Sequence, residues 1–192
     1  MTQKPDQRRL LRAAREGFVR QLRAGEAASL QADLARLAAP HLQHSKIVAS
    51  YARYGDEIDP SALVTALGQQ GARIAWPRVS AEGDTMTFHQ CAAAALESGY
   101  RGILEPPAQA RSVIPDTLLI PLVGVDRNGN RIGQGRGHYD RAVAALRAAA
   151  PATHLIGIAW DVQLVDHIAA DPWDQRLDAL ATPTRWIDFR LT

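Results

Sequence analysis

Four glycines, Gly129, Gly133, Gly135 and Gly137, follow an apolar run ending at Val125, and a helical pattern opens behind them at Tyr139-Asp140-Arg141. Glycine lets a backbone take positive φ and pass close to a bulky anion. Successive N–H groups in such a loop, backed by a helix N-terminus, make an anion site. Arg131 and Arg136 add charge-assisted donors whose planar forks suit phosphate oxygens. The spacing therefore predicts a site for a triphosphate or other phosphorylated ligand at the C-terminal end of a parallel strand. It matches neither common glycine fingerprint. No lysine follows the loop as in G-x-x-x-x-G-K-[ST], and the glycines run G-x-G-x-G instead of G-x-G-x-x-G. Glycine count alone also fits an Asn128-Gly129 hairpin with a flexible loop behind it.

Other residues with chemical potential read as structure. His41 and His44 are spaced like a metal pair, but no Cys, Asp or third His stands near them, so they mark a helix end. Cys91 beside His89 has no triad context and reads as a buried small hydrophobe. Tyr51 and Trp76 read chiefly as core, with stacking on a flat ring as the second option.

The elements that position the glycine loop follow from periodicity. Leu11, Ala14, Phe18, Val19 and Leu22 recur at helical spacing from Pro5 to about Arg23, with Arg8, Arg9, Arg12, Arg15, Arg20 and Arg23 between them. A second helix is predicted over Ser29 to Leu42, then a strand over Lys46–Ala52. Asp59 reads as an N-cap with Pro60 at the first helical position, and that helix ends at the C′ glycine Gly71. Strands are predicted at Ala72–Val79, at Thr85–Cys91 on a sheet edge, and at Asp116–Val125, the most apolar of all. Ala92–Ser98 reads as helical or irregular and Gly99–Pro107 as a loop. His138–Ala150 is a helix, His154–Trp160 a buried strand, Val162–Ala169 a helix, and Leu177–Phe189 one last strand. Strands alternating with helices predict an α/β fold with a largely parallel sheet.

Composition bounds the rest. The 192 residues suit one domain, 1–192, with 46% hydrophobic and 22% charged residues close to the globular norm. A single cysteine permits no internal disulfide, and the opening MTQKPDQRR lacks the apolar stretch of a signal peptide. The longest apolar run is broken by Pro121 and is too short to span a bilayer. A cytoplasmic setting is expected. Net charge is only +2, and of the 22 basic residues only Lys4 and Lys46 are lysines. Arginine bias accompanies a GC-rich genome as readily as anion recognition, and nucleic-acid binding needs the charge gathered on one face.

The segment DTLLIPLVGVDRNGNRIGQGRGHYDR resembles the signature of the 5-formyltetrahydrofolate cyclo-ligase family. Asp116, Pro121, Asp126, Gly129, Arg131, Gly133, Gly135, Gly137, Tyr139, Asp140 and Arg141 fall at its positions. RRLLR, SYARYGDEIDPSALV, WPRV and GILEP resemble further family segments, as does IGIAWDVQLVDHIAADPWDQRLDALAT with Gln163, Asp174, Asp178 and Thr182. The likeness runs nearly the whole length. Arg8 stands where the family usually has lysine, Val125 where it has an aromatic residue, His138 where it has tyrosine, and Trp173 where histidine often stands.

That resemblance implies a three-layer α/β/α, Rossmann-like fold akin to sugar-phosphate isomerases and CoA-transferases. It implies cyclisation of 5-formyltetrahydrofolate to 5,10-methenyltetrahydrofolate, driven by ATP and Mg²⁺ through a phosphorylated formyl intermediate. ATP would meet Arg8, Arg9, Arg12, Arg131, Gly133, Gln134, Gly135, Arg136, Gly137, His138 and Tyr139. Folate would meet Ala52, Glu57 and the loop Gln134 to His138, and Arg12 as a further option. Mg²⁺ would sit on Asp140 and Asp174, and Arg131 and Asp140 would carry the chemistry. Partners would be small molecules, without nucleic acid or membrane, for a monomer or weak dimer. The alternatives are another phosphorylated ligand on the same architecture, or a non-catalytic binder of folate, nucleotide or RNA.

Overall fold

The structure is a computed structural model that describes residues 4–80, 82, 85–171 and 173–191. α1 (Lys4–Gln21) and α2 (Glu26–Ala38) lead into β1 (Ile47–Ala49), and α3 (Ser61–Gln69) connects β1 to β2 (Arg73–Val79). β3 (Met86–Gln90) precedes three two-residue strands, β4 (Glu97–Ser98), β5 (Leu104–Glu105) and β6 (Arg111–Ser112). β7 (Thr117–Pro121), β8 (Gly124–Asp126) and β9 (Arg131–Ile132) then lead into α4 (His138–Ala149). β10 (His154–Ile158), β11 (Leu164–Val165), β12 (Ala179–Ala181) and β13 (Trp186–Asp188) complete the order.

Eight strands form the main sheet in the order β13-β12-β10-β7-β1-β2-β3-β6. The five central strands, β12 to β2, are parallel; β13 and β3 flank them antiparallel, and β6 pairs antiparallel with β3, so it again runs with the central strands. Side chains alternate across it with period two. Val48, Leu119, Ile156, Ala179 and Ala181 enter one core with α2, α3 and the last turns of α1. Ala49, Leu118, Ile120, Leu155 and Leu180 enter the other, beneath Ala142, Val143 and Leu146 of α4. The result is the expected three-layer α/β/α arrangement. Gly157 has no room for a side chain, because a Cβ there would lie 2.6 Å from Leu177 and 2.9 Å from Leu122.

Several boundaries differ from the periodic pattern, each for a local reason. α2 ends at Ala38, and Ala39–Leu42 tightens into a 3-10 turn around Pro40, which has no N–H for an α-helical bond. The last main-sheet pairing of β7 is at Pro121, which cannot donate to a ladder, and the chain restarts at Gly124 in a separate sheet of β11, β8 and β9. Val162–Ala169 is not a helix. Asp161–Gln163 is a 3-10 turn pinned by Gln163, whose side chain accepts from Trp160 N and donates to the carbonyls of Leu122 and Val123. The Leu177–Phe189 tail supplies two strands instead of one, a β12–β13 pair. β3 is not the edge, since β6 pairs outside it, and Gly99–Pro107 contains one arm of the β4–β5 hairpin.

Candidate active site

Among the parallel strands the chain order is β2-β1-β7-β10-β12, so the direction of progression reverses between β1 and β7. Open α/β sheets bind ligands outside the carboxyl ends of their strands at such a point. A cavity of about 730 Å³ opens there, walled by Tyr51 and Ala52 just past β1 and by Pro121 at the end of β7.

Asp126 shapes the loop that feeds this cavity. Its fully buried carboxylate accepts from Asn128 N, Asn130 N, Asn130 Nδ2 and Ile168 N, and so closes the β8–β9 turn. Gly129 takes φ +78° in that turn, and a Cβ there would lie 2.9 Å from the Leu177 carbonyl. The hairpin and the glycine loop are thus both present, one after the other.

β9 carries Arg131 to the cavity wall. Its side chain is 3% exposed, Nη2 donates to Asp140 Oδ1 at 2.6 Å, and Nε is buried without a partner among the described residues. Burial works against the guanidinium charge, while Asp140 and Asp174 sustain it. A buried guanidinium with a spare N–H is a ready donor to an anionic oxygen.

The loop beyond is held by α1. Arg8 Nε donates to the Gly133 carbonyl at 2.9 Å, and Arg12 Nη2 donates to Gln134 O at 3.0 Å and Gln134 Oε1 at 2.6 Å. Gly135 adopts φ +95° and Gly137 φ +67°, the latter capping α4. His138 meets the Tyr100 ring edge-on at 5.8 Å, which joins the loop to the β4–β5 hairpin.

Glu57 lines the same cavity and is 7% exposed. It accepts from Tyr54 N at 3.1 Å and from Gln134 Nε2 at 3.2 Å. Burial pushes its pKa up, against the pull of those hydrogen bonds and of Arg15 and Arg53. Ala52 and Glu57 therefore line one cavity with Arg8, Arg12 and Arg131. Gly133, Gln134, Gly135, Arg136, Gly137, His138 and Tyr139 line it too, as do Asp140 and Asp174. Arg9 does not. Its side chain is 73% exposed and faces Asp6 at 3.9 Å. Trp76 is core, donating Nε1–H to the Cys91 carbonyl, whereas the buried Tyr51 lines the cavity and donates to Ile58 O. Cys91 is only half-buried, at the margin of the core, and His41 stacks on Trp186.

Asp174 accepts a short hydrogen bond from Lys4 Nζ and another from Asp171 N at 2.7 Å. Lys4 also reaches Asp171 at 2.6 Å, and the two carboxylates outweigh the effect of burial to raise the lysine's pKa. Among the described residues no three His, Cys, Asp or Glu side chains gather to hold a metal unaided. Asp140 and Asp174, which both line the cavity, instead suit a cation such as Mg²⁺, which takes one or two carboxylates and completes its shell with phosphate and water.

Lys4, Arg15 and the hairpin residues Tyr100, Arg101 and Leu104 also line the cavity, beyond the site residues that the sequence singles out. Arg101 alone among described non-glycine residues has positive φ, at 58°. One signal was available: Lys4, Arg8, Arg12 and Arg15 recur at intervals of four, four and three, which is a single helix face.

A profile of the 5-formyltetrahydrofolate cyclo-ligase family matches residues 1–183. The chain is 32% identical over 174 residues to the 5-formyltetrahydrofolate cyclo-ligase of Mycolicibacterium smegmatis, covering 86% of each protein. It is 30% identical over 152 residues to that of Escherichia coli, which is 76% of this chain and 82% of the relative. The NMR structure of Aquifex aeolicus 5,10-methenyltetrahydrofolate synthetase superposes with a TM-score of 0.78 at 25% identity, over 95% of this chain and 93% of that one. The Mycoplasma pneumoniae synthetase, 23% identical, shares the fold at a TM-score of 0.71 over 92% of this chain and 98% of that one.

Proposed function

The chain belongs to the 5-formyltetrahydrofolate cyclo-ligase family, and from that premise we propose that it cyclises 5-formyltetrahydrofolate to 5,10-methenyltetrahydrofolate at the expense of ATP. The observation that carries this reading is the Gln134–Glu57 hydrogen bond, which joins the glycine loop to the buried carboxylate inside one cavity. A phosphoryl donor on the loop and a ring held by Glu57 would lie next to each other.

The chemistry needs that adjacency. A formamide carbonyl is a poor electrophile, and its oxygen is a poor leaving group. Transfer of the γ-phosphoryl to the formyl oxygen, with ADP leaving, makes an imidate-type phosphate. The N10 lone pair then attacks the formyl carbon and closes the ring, N10 loses its proton, and phosphate departs with the C–O electrons to leave the methenyl bridge. The protein's share is positioning and charge neutralisation. Arg131, with its spare Nε–H, and the backbone N–H groups of the loop would face phosphate oxygens. Arg8 and Arg12 hold that loop in place, and Ala52 and Glu57 hold the folate ring. Mg²⁺, when bound to Asp140 and Asp174, would draw charge from the phosphate oxygens. The enzyme would act in the cytoplasm on small molecules, as one domain and as a monomer or weak dimer. Among the described residues no helix is long and apolar enough to cross a membrane.

The test is direct. Protein mixed with ATP, Mg²⁺ and 5-formyltetrahydrofolate is expected to generate the ultraviolet absorbance of the methenyl product, with one ADP per turnover. Folded protein that gives no product from either stereoisomer overturns the reading.

A further inference from the structure

Two buried, opposite charges line this cavity without meeting. Arg15 of α1 is 6% exposed; its Nη1 donates to the Leu122 carbonyl at 3.3 Å, and its Nε is buried without a partner among the described residues. Glu57 is equally buried and close enough to feel the Arg15 charge, yet its hydrogen bonds come from Tyr54 and Gln134 and it forms no ion pair with Arg15. Arg12 and Arg8, one and two turns before Arg15, spend donors on the glycine loop, whereas Arg15 donates to the Leu122 carbonyl.

Leaving a guanidinium and a carboxylate both desolvated and unpaired is costly unless something else satisfies them. The complementary ligand offers a hydrogen-bond acceptor to the arginine beside a donor to the glutamate. An –NH–C(=O)– edge in a ring has that pattern. In a folate, the ring N–H next to the 4-oxo group presents it.

We propose that Arg15 is a substrate-binding, specificity-determining residue that donates to the ring 4-oxo oxygen while Glu57 accepts from the adjoining N–H edge. The inference deepens the folate reading and rests on it. A ligand with an amino group in place of the oxo group would present a donor to a guanidinium that has only donors, so Arg15 discriminates between the two rings.

The experiment titrates the full chain with 5-formyltetrahydrofolate, with its 4-amino analogue, and separately with ATP and Mg²⁺. Arg15→Met keeps most of the side chain's apolar bulk and removes every donor; Arg15→Lys keeps the charge and a donor without the planar fork. In Arg15→Met, 4-oxo affinity is expected to fall roughly 10- to 100-fold, the worth of a charged hydrogen bond. Arg15's share of the 4-oxo to 4-amino preference should be lost while ATP affinity holds, which leaves the share of Glu57, since the 4-amino ring also lacks the N–H that Glu57 accepts. Arg15→Lys is expected to keep part of the preference, and it serves as the test if Arg15→Met does not fold. A folded variant with the wild-type preference overturns the role of Arg15 and leaves the folate reading standing. Wild-type protein that binds ATP but neither ring overturns the folate reading, and this inference with it.

Discussion

At Asp140 one carboxylate serves two tasks. It is a candidate Mg²⁺ ligand, and it is also the counter-charge to the buried Arg131 at 2.6 Å. On sequence grounds Asp140→Asn should stop turnover and leave the fold intact. The ion pair changes the second half of that expectation, because the variant takes the hydrogen-bonded counter-charge from a buried guanidinium and leaves only the more distant help of Asp174. The cost is set at about 1–3 kcal/mol, below the usual penalty for breaking a buried pair because Asp140 is itself partly exposed. Turnover should vanish and the melting temperature fall by several degrees, both read on one preparation; an unchanged melting temperature would deny the pairing. Glu57 makes a pH prediction. Its folded pKa lies above the ordinary carboxylate value, chiefly through burial, so the native state holds its proton more tightly than the unfolded chain. This group's contribution to stability therefore falls as pH rises from the ordinary carboxylate range through the raised value. Glu57→Gln does not titrate, so its stability relative to wild type should climb across that window and level off on either side. Denaturant melts at a series of pH values measure this, and a pH-independent difference would contradict it. Many other signature residues proved to be scaffold: Asp116 accepts from Lys46 N and Ile47 N, and Asp178 from Leu155 N. A motif states which residue stands where, without separating those that grip backbone from those that face a ligand.

At the scale of elements, the glycine loop is legible from sequence because positive φ is written in its glycines. Gly135→Ala puts a Cβ into a φ of +95° and within 3.2 Å of the Arg8 guanidinium, the group that holds Gly133. We expect a stability loss of about 1 kcal/mol and a larger loss of ATP affinity, measured by calorimetric titration. Gly17→Ala, in mid-α1 with open space around it, is the control. It should gain about 0.5–1 kcal/mol and bind ATP as before. Equal effects from the two variants would show that loop geometry does not matter. Element ends were less legible. β7 parts from the main sheet after Pro121 because proline ends a ladder, which the sequence announces. The 3-10 turn at Asp161–Gln163 depends instead on carbonyls of Leu122 and Val123, some forty residues earlier in the chain. A local pattern carries no trace of such a partner.

On the scale of the whole molecule, the cavity draws its walls from α1, the segment after β1, the ends of β2 and β7, the β4–β5 hairpin, the glycine loop and the Asp174 segment. No one segment holds it, so ligands that bind it should stabilise the entire fold. ATP with Mg²⁺ at a hundred times its dissociation constant is expected to add about 2.7 kcal/mol to unfolding. A thermal shift would record this, and the shift should shrink in an Arg8→Ala, Arg12→Ala double variant that frees the loop. A double variant with an undiminished shift would remove α1 from the binding machinery.

The family signature, the α/β class, the glycine loop and the apolar strands are properties of residue type and spacing, and sequence alone determined them. Period-two burial and positive φ are local demands that particular side chains satisfy or fail. The fate of the arginines on α1 was decided by tertiary structure. Arg15 falls in the same helical stripe as Leu11, Phe18 and Leu22, so its burial has a trace in the pattern, and the nominally apolar Ala14 is exposed instead. Whether that stripe faced closed core or an open cavity depended on where α1 settled across Leu122 and the loop, more than a hundred residues away. The same docking turned Arg9 to solvent. A modest net charge of +2 thus became a line of cations along one wall, because packing between distant segments, and not the charge count, chose which arginines point inward.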